Sequence, residues 1–354
     1  MSLAVLSNEI LAEIINCLDG SLTGITLCSR QLHSIAEPIL YSNIHLNCPK
    51  SYTNFIRTIV AKPYLVGYVR HFRTEVRVEL ILLLLFVVGH PYGWDYDLSF
   101  LSAKDRKWVR SQLPNSVHGK ATCEKWFKKM FFKPNVNWVE VPMYWDAITA
   151  FLLTLFSPTL QTIQMDSYGP SSNHHPYNEY TYTEMVLEAS TPTGGGPFHR
   201  LKEVTILPSG ILPVHLIIPF LQVPSVTKFK ASELKLIREP FKPALHTTDL
   251  TLTGCRLLGN QLMSFLLCFR SLKRLTYHHA APRLSMLVAS HLRRGLANSK
   301  GTLGELILIQ ELDDEWPGDD SASNSDESGF AGSGSSVASK QYVLGSLQTF
   351  EKLK

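Results

Sequence analysis

The stretch Phe198-His199-Arg200-Leu201-Lys202-Glu203-Val204-Thr205-Ile206 spaces its apolar side chains by three, three and two residues. Its closing alternation, Val204-Thr205-Ile206, is that of a strand with one buried face. The same offsets recur at Val223, Val226, Phe229, Ala231 and at Phe269, Leu272, Leu275, Tyr277. Partial copies stand at Leu160, Ile163, Met165, at Leu250, Leu252 and at Leu303, Leu306, Leu308. Between them lie helical candidates: Trp145 to Phe156, Thr183 to Ala189, Val214 to Leu221, Leu258 to Cys268 and Leu284 to Leu296.

Taking residues 157, 198, 223, 244, 269 and 300 as first positions, the intervals are 41, 25, 21, 25 and 31 residues. Three of these five fit leucine-rich repeats, whose period is about 20–29 residues with one strand per repeat. The two longer intervals hold insertions; Tyr168-Gly169-Pro170-Ser171-Ser172 and Gly194-Gly195-Gly196 are loop signals. The copies are irregular and lack the Asn of regular repeats. An ordinary α/β sheet with helices on one face fits the same spacing.

Working outward, the first forty residues carry more apolar surface than a segment of that length buries alone. Ser7 can cap a helix, Glu9 suits its positive end, and Ile10, Leu11, Ile14, Ile15 and Leu18 recur along one face. Gly20 can end this helix and Ser21 can start the next. A third, with Leu32, Ile35 and Ala36, is expected to stop at Pro38.

Leu6-Ser7-Asn8-Glu9-Ile10-Leu11-x-Glu13-Ile14-Ile15-x-x-Leu18, then Leu27-Cys28-Ser29-Arg30-Gln31-Leu32-His33 and Glu37-Pro38-Ile39-Leu40-Tyr41, resembles an F-box of the filamentous-fungal type. The family usually has Pro after the first Leu, where this chain has Ser7. The resemblance implies a three-helix unit that docks a Skp-type adaptor and, through it, a cullin. It also implies that Leu6, Ile10, Ile14, Leu18 and Leu32 face the adaptor or the motif's small core. F-box proteins often carry leucine-rich repeats after the motif, so the two resemblances agree.

The expected fold class is therefore α/β: a short three-helix F-box over 3–46, then an irregular leucine-rich-repeat solenoid with a parallel sheet and helices on its other face. Residues 47–144 are expected to form a linker or first solenoid region of unclear structure, and 145–354 the degenerate repeats. Residues 312–340, rich in Asp, Ser and Gly, read as a disordered acidic insertion. Ser323 and Ser325 there stand in an acidic context that some kinases favour. Phe350 to Lys354 begins another copy whose next apolar positions lie past the last residue, so the last repeat is expected to be incomplete.

Formal net charge is +4, but Glu311 to Glu327 holds eight acidic residues and no Lys or Arg, leaving +12 elsewhere. Basic and aromatic residues interleave at Lys104-Asp105-Arg106-Lys107-Trp108 and Lys125-Trp126-Phe127-Lys128-Lys129-Met130-Phe131-Phe132-Lys133. The second run fits one apolar helical face, Trp126, Phe127, Met130 and Phe131, with lysines on the wet side. No RNA-binding signature accompanies it, so nucleic acid is not expected as a partner. Leu80 to Val88 is nine apolar residues, less than half of what a membrane helix needs. The six cysteines form no Cys-x-x-Cys pair and read as reduced, buried thiols of an intracellular chain, cytoplasmic or nuclear.

Catalytic motifs are missing from the sequence: no phosphate loop, no nucleophile turn, no His-Glu-x-x-His. His174-His175 with Glu179 lacks metal-ligand spacing, and His278-His279 reads as a solvated pair. No enzyme activity, metal or cofactor is expected. The expected function is substrate recognition within a Skp/cullin/F-box ubiquitin ligase. The substrate protein would meet outward positions between the apolar ones: Lys202, Thr205, Lys228, Lys230, Thr251, Lys273 and Thr276. The alternative is a repeat scaffold that never joins a ligase.

Overall fold

The computed structural model describes residues 6–17, 22–75, 98–113, 119–131, 140–166, 181–188, 196–208, 212–235, 244–257, 259–280 and 289–310. Leu18, Leu80 to Val88, His174-His175, the 312–340 insertion with its serines and the final Phe350 to Lys354 lie outside them. The chain is α/β and divides into two compact units, Met1–Lys230 and Ala231–Lys354.

The first unit opens with α1 (Asn8–Asn16), α2 (Leu22–Thr26) and α3 (Arg30–Leu40). It then alternates strand and helix: β1 (Asn43–Leu46), α4 (Pro49–Ala61), β2 (His71–Glu75), α5 (Ala103–Gln112), α6 (Lys120–Met130) and α7 (Glu140–Phe156). β3 (Thr162–Asp166), α8 (Thr181–Glu188), β4 (Glu203–Leu207) and α9 (Ile218–Gln222) follow, and β5 (Lys228–Ser232) begins in this unit and ends past its boundary at Lys230. β1 to β4 pair in chain order and in parallel, with Ile44, Phe72, Ile163 and Val204 in one register row. β5 lies next to β4.

The second unit repeats the alternation with β6 (Asp249–Cys255), α10 (Gly259–Leu266), β7 (Arg274–His279), α11 (Ala289–Gly295) and β8 (Glu305–Gln310). β6, β7 and β8 are parallel neighbours. Gly254, at φ +64, occupies the irregular register between Leu252 and Cys255, a backbone conformation that side chains other than glycine's strain to adopt.

The apolar offsets mark what is buried. Phe198, Leu201, Val204, Ile206, Val226, Phe269, Leu272, Leu275 and Tyr277 are all fully buried, whereas Leu306 and Leu308 of β8 are only half-buried. The starts of β2, β3, β4, β5, β7 and β8 share one backbone device: two successive N–H groups donate to a single carbonyl just before the neighbouring strand. Gln161 and Thr162 use Arg70 O, Lys202 and Glu203 use Gln161 O, Thr227 and Lys228 use Lys202 O. In the second unit Lys273 and Arg274 use Thr248 O, and Gly304 and Glu305 use Lys273 O. Hydroxyls also bridge one turn to the previous one, with no Asn required. Thr159 donates to Val69 O at 2.7 Å, Ser225 to Phe198 O at 2.6 Å and Thr302 to Leu272 O at 2.8 Å. Buried Ser299 both donates to Phe269 O and accepts from Leu272 N–H.

Residues 47–144 are not a plain connector: β2 completes the pairing between β1 and β3, and β1 itself falls inside the stretch read as the helical motif. The same offsets mark both strands, as Tyr41, Ile44, Leu46 and as Val69, Phe72, Thr74. Thr74 breaks the apolar pattern because its buried hydroxyl bonds Tyr52 of α4. Pro38 does not end α3. Proline removes only its own N–H, and the helix runs on to Leu40, with Tyr41 N–H closing on Glu37 O at 3.1 Å. The cysteines divide: Cys123, Cys255 and Cys268 are buried thiols, but Cys17, Cys28 and Cys48 are exposed.

α6, α7 and α8 form the helical core of the first unit. α6 turns Cys123, Trp126, Phe127 and Met130 inward. Trp126 stacks on Tyr182 of α8 and donates its Nε1–H to Ala147 O of α7 at 2.8 Å. Asp146 of α7 caps α8: its carboxylate accepts the backbone N–H of Tyr182 at 2.9 Å and of Thr183 at 3.2 Å. Burial pushes the Asp146 carboxyl up to about 6, against the pull of those two N–H groups.

A carboxyl raised in the folded state holds its proton longer there than in the unfolded chain. Its contribution to stability is therefore greatest below the ordinary aspartate range and is lost as pH rises through about 6. At about 1.4 kcal/mol per pH unit the difference is on the order of 3 kcal/mol. The stability of the parent relative to Asp146→Asn, measured by urea unfolding, is expected to decline between about pH 4 and pH 6 by this order. A flat difference across that range would refute it. Among the described residues no helix is long and apolar enough to cross a membrane.

Candidate docking surface

α1 starts at Ser7, whose extended backbone (φ −67, ψ 156) places its carbonyl to accept Leu11 N–H at 3.0 Å. The Ser7 side chain caps no backbone N–H. The backbone N–H of Glu9 and the Ser7 hydroxyl instead hold the Glu9 carboxyl below its ordinary range.

Nine residues of α1 carry two apolar stripes at four-residue spacing. One stripe, Leu11 and Ile15, is 2% and 3% exposed. It packs towards α3, where small Ala36 is fully buried. The other, Ile10 and Ile14, faces solvent at 47% and 39% exposure, with half-buried Leu6 one turn ahead. Leu27, just after α2, is 82% exposed. Among the described residues only five large apolar side chains are exposed, and these three are the majority. Leu32 is half-buried on α3.

The face sits on a braced platform. Ser29 Oγ accepts Leu32 N–H at 3.1 Å and caps α3, and Gln31 of α3 donates to Asn8 of α1 at 3.1 Å. His33 Nδ1 lies 3.2 Å from Thr26 O and ties α3 to α2. Buried Glu37 anchors α3 to the chain after α4 through Lys62 Nζ at 3.1 Å and the Tyr64 hydroxyl at 3.1 and 3.2 Å, with His33 Nε2 at 3.4 Å. Burial alone would raise the Glu37 carboxyl, but the hydrogen bonds and charges of these partners outweigh it and hold it below the ordinary range.

Glu37→Gln is expected to cost about 1–2 kcal/mol at neutral pH, the low part of the range for hydrogen bonds to a charge because Lys62 and Tyr64 are half exposed. A lowered carboxyl stabilises above its unfolded pKa, so the cost should vanish as pH falls through the folded value. Thermal unfolding at pH 7 and at pH 3 checks both parts; equal losses at the two pH values would contradict the charge argument.

The strand positions expected to meet a substrate fall in both units. In the first, Lys202 precedes β4, Thr205 is half-buried on it, and Lys228 and Lys230 project from β5. In the second, Thr251 and Thr276 are register partners, and exposed Lys273 precedes β7. The spacing overlooked the charged neighbours on β1 to β3. Arg73 pairs with Asp166 at 2.6 Å and lies 3.8 Å from Glu75, which also meets His45 at 3.5 Å. In the second unit Arg274 pairs with Asp249 at 2.7 Å. His278-His279 is not a solvated pair: His279 is buried, with Nδ1 3.0 Å from the Tyr277 hydroxyl.

Among the described residues no three His, Cys, Asp or Glu side chains gather to hold a metal ion. No protein-family model matches the chain, and no curated protein does.

Proposed function

We propose that this chain is the substrate-recognition subunit of a Skp/cullin/F-box ubiquitin ligase, acting in the cytoplasm or nucleus. α1 to α3 would dock a Skp-type adaptor, and the strand–helix units, read as degenerate leucine-rich repeats, would hold the substrate protein. The observation that carries this reading is the split of α1 into one buried and one solvent-facing apolar stripe. A helix that needs only one stripe for its own core and keeps a second in water has a partner surface in reserve. The brace at Glu37 supports it, because a docking helix held rigidly loses less entropy on binding. Lys202, Thr205, Lys228, Lys230, Thr251, Lys273 and Thr276 offer hydrogen-bond donors and positive charge to a protein substrate.

The test is titration of purified Skp-type adaptor against the full chain and its Ile10→Asp, Ile14→Asp variant. Binding by the parent and its loss in the variant support the proposal. A folded parent chain that ignores the adaptor refutes it and leaves a repeat scaffold outside the ligase.

A further inference from the structure

Two helices of the first unit carry more formal charge than the whole chain. α5 holds Lys104, Arg106, Lys107 and Arg110 against Asp105, and α6 holds Lys120, Lys125, Lys128 and Lys129 against Glu124, a balance of +6 where the full sequence has +4. Both acids are already engaged. Asp105 completes the capping box with Ser102, and Glu124 Oε1 lies 3.0 Å from Arg110. Lys104, Lys107, Lys120, Lys125 and Lys128 are exposed. Among the described residues no carboxylate stands within ion-pair distance of any of the five.

The helices are fixed against each other, and each carries exposed lysines away from its buried side. The Arg110 guanidinium lies over the Phe127 ring at 4.4 Å and the Arg106 guanidinium over the Phe131 ring at 5.2 Å. Val109 turns the opposite side of α5 inward, and Cys123, Trp126, Phe127 and Met130 do the same for α6. Lys104 and Lys107 on one helix, with Lys125 and Lys128 on the other, are left outward at helical spacing.

We propose that the α5–α6 face is a docking site for an acidic peptide segment of a partner protein, a short run of Asp and Glu carboxylates. Charge complementarity selects an anion, and the remaining chemistry narrows the class. A single nucleic-acid strand stacks its bases on free ring faces, but Trp126 is buried, arginines lie over Phe127 and Phe131, and Trp108 is half-buried against Phe151. Bidentate phosphate recognition uses arginine, whereas the free cations here are all lysines. A lipid surface needs fully exposed large apolar side chains among the cations, and the fully exposed neighbours are Ala103, Ser111 and Ala121, while Trp108 and Phe131 are partly covered. Carboxylates along a peptide require only point charges, which lysines supply, and their attraction steers association.

The experiment measures fluorescence anisotropy of an octa-glutamate peptide with the full chain at low and at physiological salt. A DNA duplex, a single-stranded RNA and phosphatidylserine vesicles are measured in parallel. The expected result is peptide binding that weakens at least tenfold in Lys104→Glu, Lys107→Glu, Lys125→Glu, Lys128→Glu. The milder Lys125→Gln, Lys128→Gln pair should show a smaller loss in the same direction, and Lys50→Glu, Lys300→Glu, exposed lysines outside both helices, should bind like the parent. Circular dichroism confirms that each variant is folded. Undiminished binding in the quadruple variant, tighter binding of nucleic acid or vesicles than of peptide, or no peptide binding by the folded parent would each overturn the proposal.

Discussion

The double substitution Ile10→Asp, Ile14→Asp is expected to abolish the proposed adaptor binding while leaving the chain folded. Both side chains are exposed to water, so the change buries no charge in the free protein and costs far less packing than the covered stripe would. In a complex the same positions would be desolvated. Two isoleucines forfeit about 1 kcal/mol or more each of apolar burial, and an unpaired carboxylate in an apolar contact costs several more. The sum exceeds about 3 kcal/mol, a loss of a hundredfold or more in affinity. Isothermal titration with the adaptor reads the binding, and circular dichroism reads the fold. The matched control is Leu11→Asp, Ile15→Asp one helical position away, which places the charges in the α1–α3 core and is expected to unfold the helices themselves. If both pairs behaved alike, the distinction between the two stripes would be wrong.

Trp126→Ala is expected to be the most damaging single change to the first unit. The indole is fully buried between α6, α7 and α8, stacks on Tyr182 with ring centroids 5.7 Å apart, and donates to Ala147 O. Truncation to alanine removes this packing and leaves a cavity, at about 3–5 kcal/mol. Trp126→Phe keeps most of the volume and loses the N–H, so about 1–2 kcal/mol separates the hydrogen bond from the packing. Urea unfolding measures both, and hydrogen exchange should show lost protection in α6, α7 and α8. An alanine variant within 1 kcal/mol of the parent would mean that Trp126 does not join these helices.

Much of this was legible in one dimension. The three-three-two apolar offsets named side chains that are buried, because a strand with one wet face must alternate and its preceding turn must also fill the core. The apolar face of α6 was equally plain, since Trp126, Phe127 and Met130 sit at helical spacing. β1 and β2 were harder to see: Thr74 occupies an apolar position, and only the Tyr52 hydroxyl, brought in by α4, makes its burial affordable. The charged ladder on β1 to β3 stayed hidden as well, because Arg73 and Asp166 are 93 residues apart.

The candidate docking surface divides the same way. Residues 8 to 16 determine by themselves that a helix forms and that it carries two apolar stripes, since helical period and propensity are properties of neighbouring residues. They do not say which stripe is covered, because Ile10 and Ile14 are as apolar as Leu11 and Ile15. The tertiary structure decides that: α3, with buried Ala36, packs against α1, and Glu37 of α3 is held by Lys62 and Tyr64. Burial belongs to a pair of surfaces, and the second surface lies more than twenty residues away in the chain.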